Sequence, residues 1–345
     1  MAFIGKAWQY KAIRHKLEDD MTLIDQAAIL PTVDSLPVDK VVIQVISAAI
    51  NPVDYKVPEA PIYGCLVVPR PATPGFDVCG RVVARHPSNT DFADGQLVFG
   101  GLFSSATARG MGTLRQYAIL STDCLAVLPE GVSPDQGAAV GTAGTSAYQS
   151  LTPGGRPLPA GARVFIHGGS GGVGTWTIQL AKAMGAHVTA TCSPHNASLC
   201  RSLGADEIVD YHSVDLASYL EQKSCEYDLI VDNVGSDTRL FTVSSKALKA
   251  NGTFTQVGVG SSLTIRTIVV TAKRHLWPSI LGGPRFLFIR MRNSTEYLQP
   301  IGEMMAQGRV KAVIDKTFEF EQVPHAYRYL RGGHAKGKIV VKVGE

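Results

Sequence analysis

Arg163-Val-Phe-Ile-His-Gly-Gly-Ser-Gly-Gly-Val-Gly-Thr-Trp-Thr-Ile-Gln-Leu-Ala-Lys-Ala-Met184 is the stretch on which the reading of this chain turns. Arg163 to His167 is apolar and partly β-branched, and it begins just after Pro159 and Gly161, as a buried strand does. Gly169, Gly171 and Gly174 then satisfy G-x-G-x-x-G, while Val173, Trp176, Thr177, Leu180, Ala181 and Met184 recur on one helical face. The glycine spacing alone also occurs in ordinary turns, so the flanking strand and helix decide. A diphosphate can approach a backbone only where no β-carbon obstructs it, and the unpaired N–H groups opening the helix then face the anion. Glycine at the third position lets the helix pack closely on the strand.

Outward from the glycines, Ala186–Cys192 reads as a second strand and Ala197–Leu203 as a short helix. Glu207–Asp210, Asp228–Asp232 and Thr253–Val257 follow as strands, with helical runs at Leu216–Gln222 and Arg239–Leu248 between them, and the sheet is expected to end near Val257. Strands alternating with helices imply an α/β, doubly wound parallel sheet of the Rossmann kind, with its ligand at the carboxyl ends of the strands.

The end of the second strand bears on which dinucleotide is bound. A carboxylate about 20 residues past the first glycine would hold a ribose 2′-hydroxyl and repel a 2′-phosphate. Here the chain reads Thr191-Cys-Ser-Pro-His-Asn196, with no acid until Asp206. Ser193, His195 and Asn196 offer short donors that a phosphate monoester accepts. This favours NADPH over NADH; a plain polar turn at Ser193–Asn196 is the alternative.

The N-terminal third lacks this alternation. Short β-like runs at Lys6–Tyr10, Lys40–Ala49, Val78–Val83, Gln96–Phe99 and Gln116–Leu120, separated by Pro, Gly and Asp, predict a compact, mostly antiparallel, barrel-like domain. Ser133 is placed to cap a helix that has Pro134 at its first position and Asp135 near the positive end of the dipole. Gly141-Thr-Ala-Gly-Thr-Ser-Ala-Tyr148 is small and hydroxylated, which fits either a kink facing a ligand or a tight helix–helix contact. Tyr297–Gly308 reads as a helix, and Gly337–Val343 as a closing strand that returns to the first domain.

A chain of 345 residues is longer than one core usually supports, which points to two domains. No apolar run reaches the roughly 18 residues of a membrane span, and Met1–Asp20 lacks the apolar run of a signal peptide. Cys65, Cys79, Cys124, Cys192, Cys200 and Cys225 are scattered without C-x-x-C spacing, as in a reduced cytoplasmic protein. A net charge of +4 without interleaved aromatic and basic residues argues against a nucleic-acid partner. The local exception, Lys273 to Arg292, fits a solvated rim over a core segment or an anionic partner.

Taken together, Lys6–Tyr10, Asn51-Pro-Val-Asp-Tyr-Lys56, Pro74-Gly-Phe-Asp77, Ala138–Tyr148, Gly169–Gly174, Leu203-Gly-Ala-Asp206 and Gly337-Lys-Ile-Val340 resemble the medium-chain dehydrogenase/reductase superfamily. Within it, the likeness is to the zinc-free quinone oxidoreductases and the trans-acting enoyl reductases of fungal polyketide pathways. The resemblance implies a GroES-like catalytic domain, 1–134 with 293–345, and a nucleotide domain, 135–292. The superfamily's zinc enzymes carry a cysteine where this chain has Asn51, a histidine at Phe76 and another cysteine near Thr142, so the resemblance implies no metal.

The same resemblance places Asn51, Pro52, Val53 and Asp54 against the nicotinamide end. It assigns cofactor contacts to the turn Gly169, Ser170, Gly171, Gly172, Val173 and Gly174, to Ser193, Pro194, His195 and Asn196, and to Tyr211, Val257, Gly258, Ile339 and Val340. Val140, Gly141, Thr142, Ala143, Gly144, Thr145, Ser146 and Ala147 are implied to line the substrate channel, and Lys56 and Tyr63 to be candidate proton donors. A long Trp277–Arg292 implies a large or unusual substrate. The expected activity is NADPH-dependent reduction of a C=C bond conjugated to a carbonyl, on a small molecule that is free or carrier-bound, by a monomer or homodimer. Quinone reduction, or a non-redox isomerase or cyclase role, is the alternative.

Overall fold

The computed structural model describes residues 3–28, 36–60, 63–102, 111–260, 265–276 and 284–344, and the chain divides into two compact units, Met1–Thr145 with Met291–Glu345, and Ser146–Arg290. In chain order the strands are β1 (Phe3–Tyr10), β2 (Met21–Ala28), β3 (Lys40–Ile50), β4 (Asp77–Arg85), β5 (Leu97–Gly101), β6 (Tyr117–Ser121) and β7 (Leu125–Val127). They continue with β8 (Arg163–His167), β9 (His187–Cys192), β10 (Glu207–Asp210), β11 (Tyr227–Asp232), β12 (Leu248–Gln256), β13 (Arg285–Phe288), β14 (Ile314–Glu319) and β15 (Lys338–Lys342).

The second unit is a six-stranded parallel sheet in the order β10-β9-β8-β11-β12-β13. Val164, Phe165 and Ile166 of β8 are all buried, because a parallel strand covered on both faces has no solvent side. The helix Gly172–Ala183 buries Trp176, Ile178, Leu180 and Ala181. Phe165 meets Tyr227 edge-on at 5.5 Å within a cluster that includes Leu220, Leu240 and Phe254.

The sheet does not end near Val257. β13 adds a sixth strand, pairing Thr253 with Arg285 and Gln256 with Phe288, and Phe286 packs against Phe241 and Phe254. The basic segment around it is not only a solvated rim either. Arg274 is buried, donates to Gln256 Oε1 (2.6 Å) and Thr238 O (2.9 Å), and lies over the Phe241 ring.

The first unit is organised by β3, which is eleven residues long and pairs antiparallel with β4 over Val41–Ala49 along one edge. Its other edge is shared, β6 covering Lys40–Gln44 and β15 covering Ser47–Ile50. The seven strands run as a path β14-β15-β3-β4-β5-β7 with β6 branching from β3, and only β14 and β15 are parallel neighbours. The pairing is therefore an open path rather than a closed ring among the described residues. Leu17, Ile43, Leu114, Leu120, Leu125 and Tyr327 fill its core, and Trp8 Nε1 donates to Phe320 O at 2.7 Å.

Candidate functional site

In the second unit the glycine-rich turn joins β8 to the helix Gly172–Ala183. Gly168 adopts a left-handed φ of 81°, and a β-carbon on Gly174 would fall 2.0 Å from Gly168 O, so the helix can start only where Gly174 has no side chain. Gly171 differs, because a β-carbon there would meet nothing nearer than 3.8 Å. The chain's own packing leaves that spot open, and the helix it opens has no side-chain cap for its first N–H groups. Ser170, Gly171, Gly172 and Val173 thus form a cradle of the shape and polarity an anion needs.

The turn is fastened to β9. Thr191 Oγ1 accepts from the Gly168 N–H (3.0 Å) and lies 2.8 Å from His167 Nδ1, and Gly169 N–H donates to Thr191 O (2.8 Å). Burial lowers the His167 pKa, and a neutral imidazole accepting at Nδ1 lets the Thr191 hydroxyl serve both neighbours.

One strand over, Ser193 precedes the short turn Pro194–Asn196, and Asn196 Nδ2 donates to Ser170 Oγ at 3.1 Å. That bond ties the second-strand turn to the glycine turn, while Asn196 Oδ1 is buried with no partner. Asp210 ends the neighbouring β10, but its oxygens accept from Ser213 Oγ and the His212 N–H, bonds that lower its pKa. Tyr211 is 44% exposed and packs against His212 at 4.4 Å. Val257 and Gly258 both donate N–H to Asp232 O, which brings them to the carboxyl end of β11. Ile339 and Val340 belong to the first unit, on β15, opposite Ile50 and Ala49. The open cradle and the orphaned Asn196 oxygen fit a nicotinamide dinucleotide.

In the first unit, Asn51 lies at the centre of a buried polar cluster. Its Nδ2 donates to Asp77 Oδ2 (2.8 Å), and its Oδ1 accepts from Lys338 Nζ. Lys338 Nζ also donates to Asp77 Oδ2 (3.1 Å) and to Ile50 O (3.2 Å). Asp77 Oδ1 accepts from both the N–H and Oγ1 of Thr142, at 2.6 Å each. Gly141 must be glycine here, since a β-carbon would stand 2.4 Å from Asp77 Oδ1.

This donor set does not fit zinc. An amide, a hydroxyl and a phenyl ring supply no thiolate or imidazole, and the carboxylate of Asp77 already neutralises an ammonium. Lys338 and Asp77 lie outside the site residues the sequence points to, and the lysine is one of two that bracket the apolar Ile339–Val341 of the closing strand.

Asp54 forms the second layer. Its Oδ2 accepts from the Asn51 N–H (2.8 Å) and from the Tyr327 hydroxyl (3.1 Å), while Oδ1 is buried without a partner. Burial, with Asp77 nearby, pushes its pKa up to about 8 against the lowering pull of the Asn51 N–H, Lys338 and Tyr327. That environment favours the protonated form of Asp54. A cavity of about 40 Å³, lined by Asp54, Tyr10, Thr73 and Gly112 among others, lies beside it.

Lys56 ends the helix Val53–Lys56 half-buried, and burial lowers its pKa. Tyr63 begins the helix Tyr63–Val67, and its side chain lies outside the described structure, as do residues 277–283 of the expected covering segment. Val140–Ala147 are all buried; the small residues Gly141–Tyr148 carry no kink but lie within one unbroken helix, Gly141–Leu151, and the helical path breaks just before them, at Ala139–Val140.

Two family descriptions match the chain: alcohol dehydrogenase GroES-like domain over residues 37–130, and zinc-binding dehydrogenase over residues 203–341. The chain is 38% identical over 349 residues to the trans-enoyl reductase pgmF of Aspergillus terreus, covering 99% of this chain and 96% of that protein. It is 31% identical to a zinc-type alcohol dehydrogenase-like protein of Schizosaccharomyces pombe, covering 97% and 96%. Among solved structures, the quinone oxidoreductase from Coxiella burnetii superposes with a TM-score of 0.80 at 27% identity, over 99% of this chain and all of that one.

Proposed function

The chain belongs to the medium-chain dehydrogenase/reductase superfamily, and from that premise we propose that it is an NADPH-dependent reductase of a C=C bond conjugated to a carbonyl, on a polyketide-type substrate. The observation that carries this reading is the buried Asn51–Asp77–Lys338–Thr142 cluster, with Asp54, whose pKa burial raises, bonded to the Asn51 N–H behind it. Such a site offers hydrogen-bond donors and a proton but no Lewis acid for an alkoxide. The similarity to a trans-enoyl reductase along the whole chain supports it further.

A nicotinamide dinucleotide held at the Gly169–Gly174 turn would supply a hydride for the β-carbon. The residues of this chain hold and protonate the rest. Asn51 has its Oδ1 and one Nδ2 proton engaged, which leaves the other Nδ2 proton to donate. The charge that develops on the substrate carbonyl as an enolate needs such a donor, and a proton then returns to the α-carbon. Lys56 and Tyr63 are the candidate donors of that proton, and Asp54 is a further proton-bearing group in the same unit.

The preference for NADPH rests on Ser193, His195 and Asn196, none of which carries a negative charge, and on an Asp210 already engaged by its own turn. The likeness to a quinone oxidoreductase structure favours quinone reduction as the second reading. NADPH oxidation assayed with an enone, an enoyl thioester and a quinone separates the two. No oxidation with any of them would sink both and favour a non-redox role.

A further inference from the structure

The sheet of the second unit changes direction of winding between β8 and β11, since β9 and β10 lie to one side of β8 and β11, β12 and β13 to the other. Open α/β sheets bind their ligands outside the carboxyl ends of the strands at that point. Asn233 is the first residue past β11 and stands at this reversal. Its N–H donates to His167 O, the last residue of β8, at 3.2 Å. Its β-carbon lies 3.7 Å from where a side chain on Gly168 would begin.

The side chain of Asn233 makes no hydrogen bond among the described residues. The turn after β11 is held by its neighbour, Asp232 Oδ1 accepting from the N–H groups of Val234 (3.0 Å) and Gly235 (2.8 Å). Asn233 Oδ1 and Nδ2 are both closed to solvent and have no hydrogen-bond partner among the described residues. Buried amides are nearly always satisfied, so a donor and an acceptor left open side by side describe a missing partner that both donates and accepts.

Among the parts of a dinucleotide, a phosphate would satisfy only Nδ2, whereas neighbouring ribose hydroxyls satisfy both atoms. Which ribose follows from strand order. The glycine turn for the diphosphate is on β8, and the Ser193–Asn196 turn lies one strand to one side, on β9. Asn233 lies one strand to the other side, so the diphosphate stands between the two. We propose that Asn233 holds the ribose on the nicotinamide side of the cofactor, Oδ1 accepting from one hydroxyl and Nδ2 donating to its neighbour. This rests on the reading that the chain binds a nicotinamide dinucleotide.

Asn233→Leu, close in volume but apolar, tests it in the full chain by titration with NADPH and with 2′,5′-ADP, which lacks the distal ribose. NADPH affinity should fall about tenfold or more, the weight of losing two hydrogen bonds. Affinity for 2′,5′-ADP and the melting temperature of the free protein should hold, or the latter should rise, since two unsatisfied polar atoms are gone. Asn233→Asp, which keeps only acceptors, should also weaken NADPH. Unchanged NADPH affinity in both variants overturns the proposal. So does a joint loss of melting temperature and of affinity for both probes, which marks a structural role. If the unaltered protein bound neither probe, the cofactor reading beneath it would fall instead.

Discussion

Lys338 and Asp77 form an ion pair closed to solvent, Nζ 3.1 Å from Oδ2 with the side chains 3% and 0% exposed. Two desolvated charges are tolerated because each has further partners: Thr142 and Asn51 on the acid, Ile50 O and Asn51 on the amine. Removing one charge strands the other. Lys338→Met should destabilise the fold by about 3–5 kcal/mol, the usual cost of leaving a buried charge alone. Adding Asp77→Asn should recover part of that loss in denaturant unfolding; a double variant no more stable than the single would remove the pair from the account.

Asp54 makes stability depend on pH with a defined sign. Its folded pKa of about 8 stands above the ordinary carboxylate value of 3.8, so the folded chain keeps a proton that the unfolded chain gives up. The stabilisation from this group is complete below the unfolded value and is lost as pH rises through the folded one. Asp54→Asn mimics the protonated form and should flatten the curve. Between about pH 5 and about pH 9 the parent should lose more unfolding free energy than the variant, and identical slopes would count against a protonated Asp54.

How much of this was legible beforehand differs between the units. The β8–helix segment was readable because strand, glycines and helical face are neighbours in sequence, and local pattern suffices there. The strand Arg285–Phe288 was hidden because four residues between basic side chains show no period. The pairing of Lys338 with Asn51 and Asp77 was invisible for another reason. Lysine in a closing strand looks like a solvent-facing residue until the strand is placed beside β3, which brings together positions 261 apart in the case of Asp77. Asn233 does not stand out in the sequence because Val-Asp-Asn-Val-Gly reads as an ordinary turn, and only its lack of hydrogen-bond partners among the described residues distinguishes it.

Cofactor preference is tested by putting a carboxylate where the chain has none. Ser193→Asp places a negative charge at the end of β9 and should weaken NADPH binding roughly tenfold relative to NADH, because like charges repel. Equal affinity of the unaltered protein for both cofactors would sink the assignment.

The metal and the proton donor are tested together. Purified protein should contain no stoichiometric zinc by elemental analysis, and chelators should leave turnover unchanged, given the donor set at Asn51, Phe76 and Thr142. Replacing the true donor should slow turnover by roughly a hundredfold, the common weight of general acid catalysis, while cofactor affinity stays near normal. If Lys56→Met and Tyr63→Phe both kept full turnover, neither would be the donor, and Asp54→Asn becomes the decisive variant.

The place of β15 after the whole second unit in chain order has a consequence for biosynthesis. A ribosome emits Asn51 and Asp77 early, yet their cation arrives only with Lys338, after the whole second unit has been translated. Until then β3 has a bare edge at Ser47–Ile50, the stretch later covered by β15. The nascent first unit therefore carries an uncompensated acid beside an unpaired strand while the second unit already has its full sequence. Chaperone demand should be concentrated in that interval, and synonymous codon changes that slow translation anywhere between Asp77 and Lys338 should lower soluble yield more than the same changes ahead of β3.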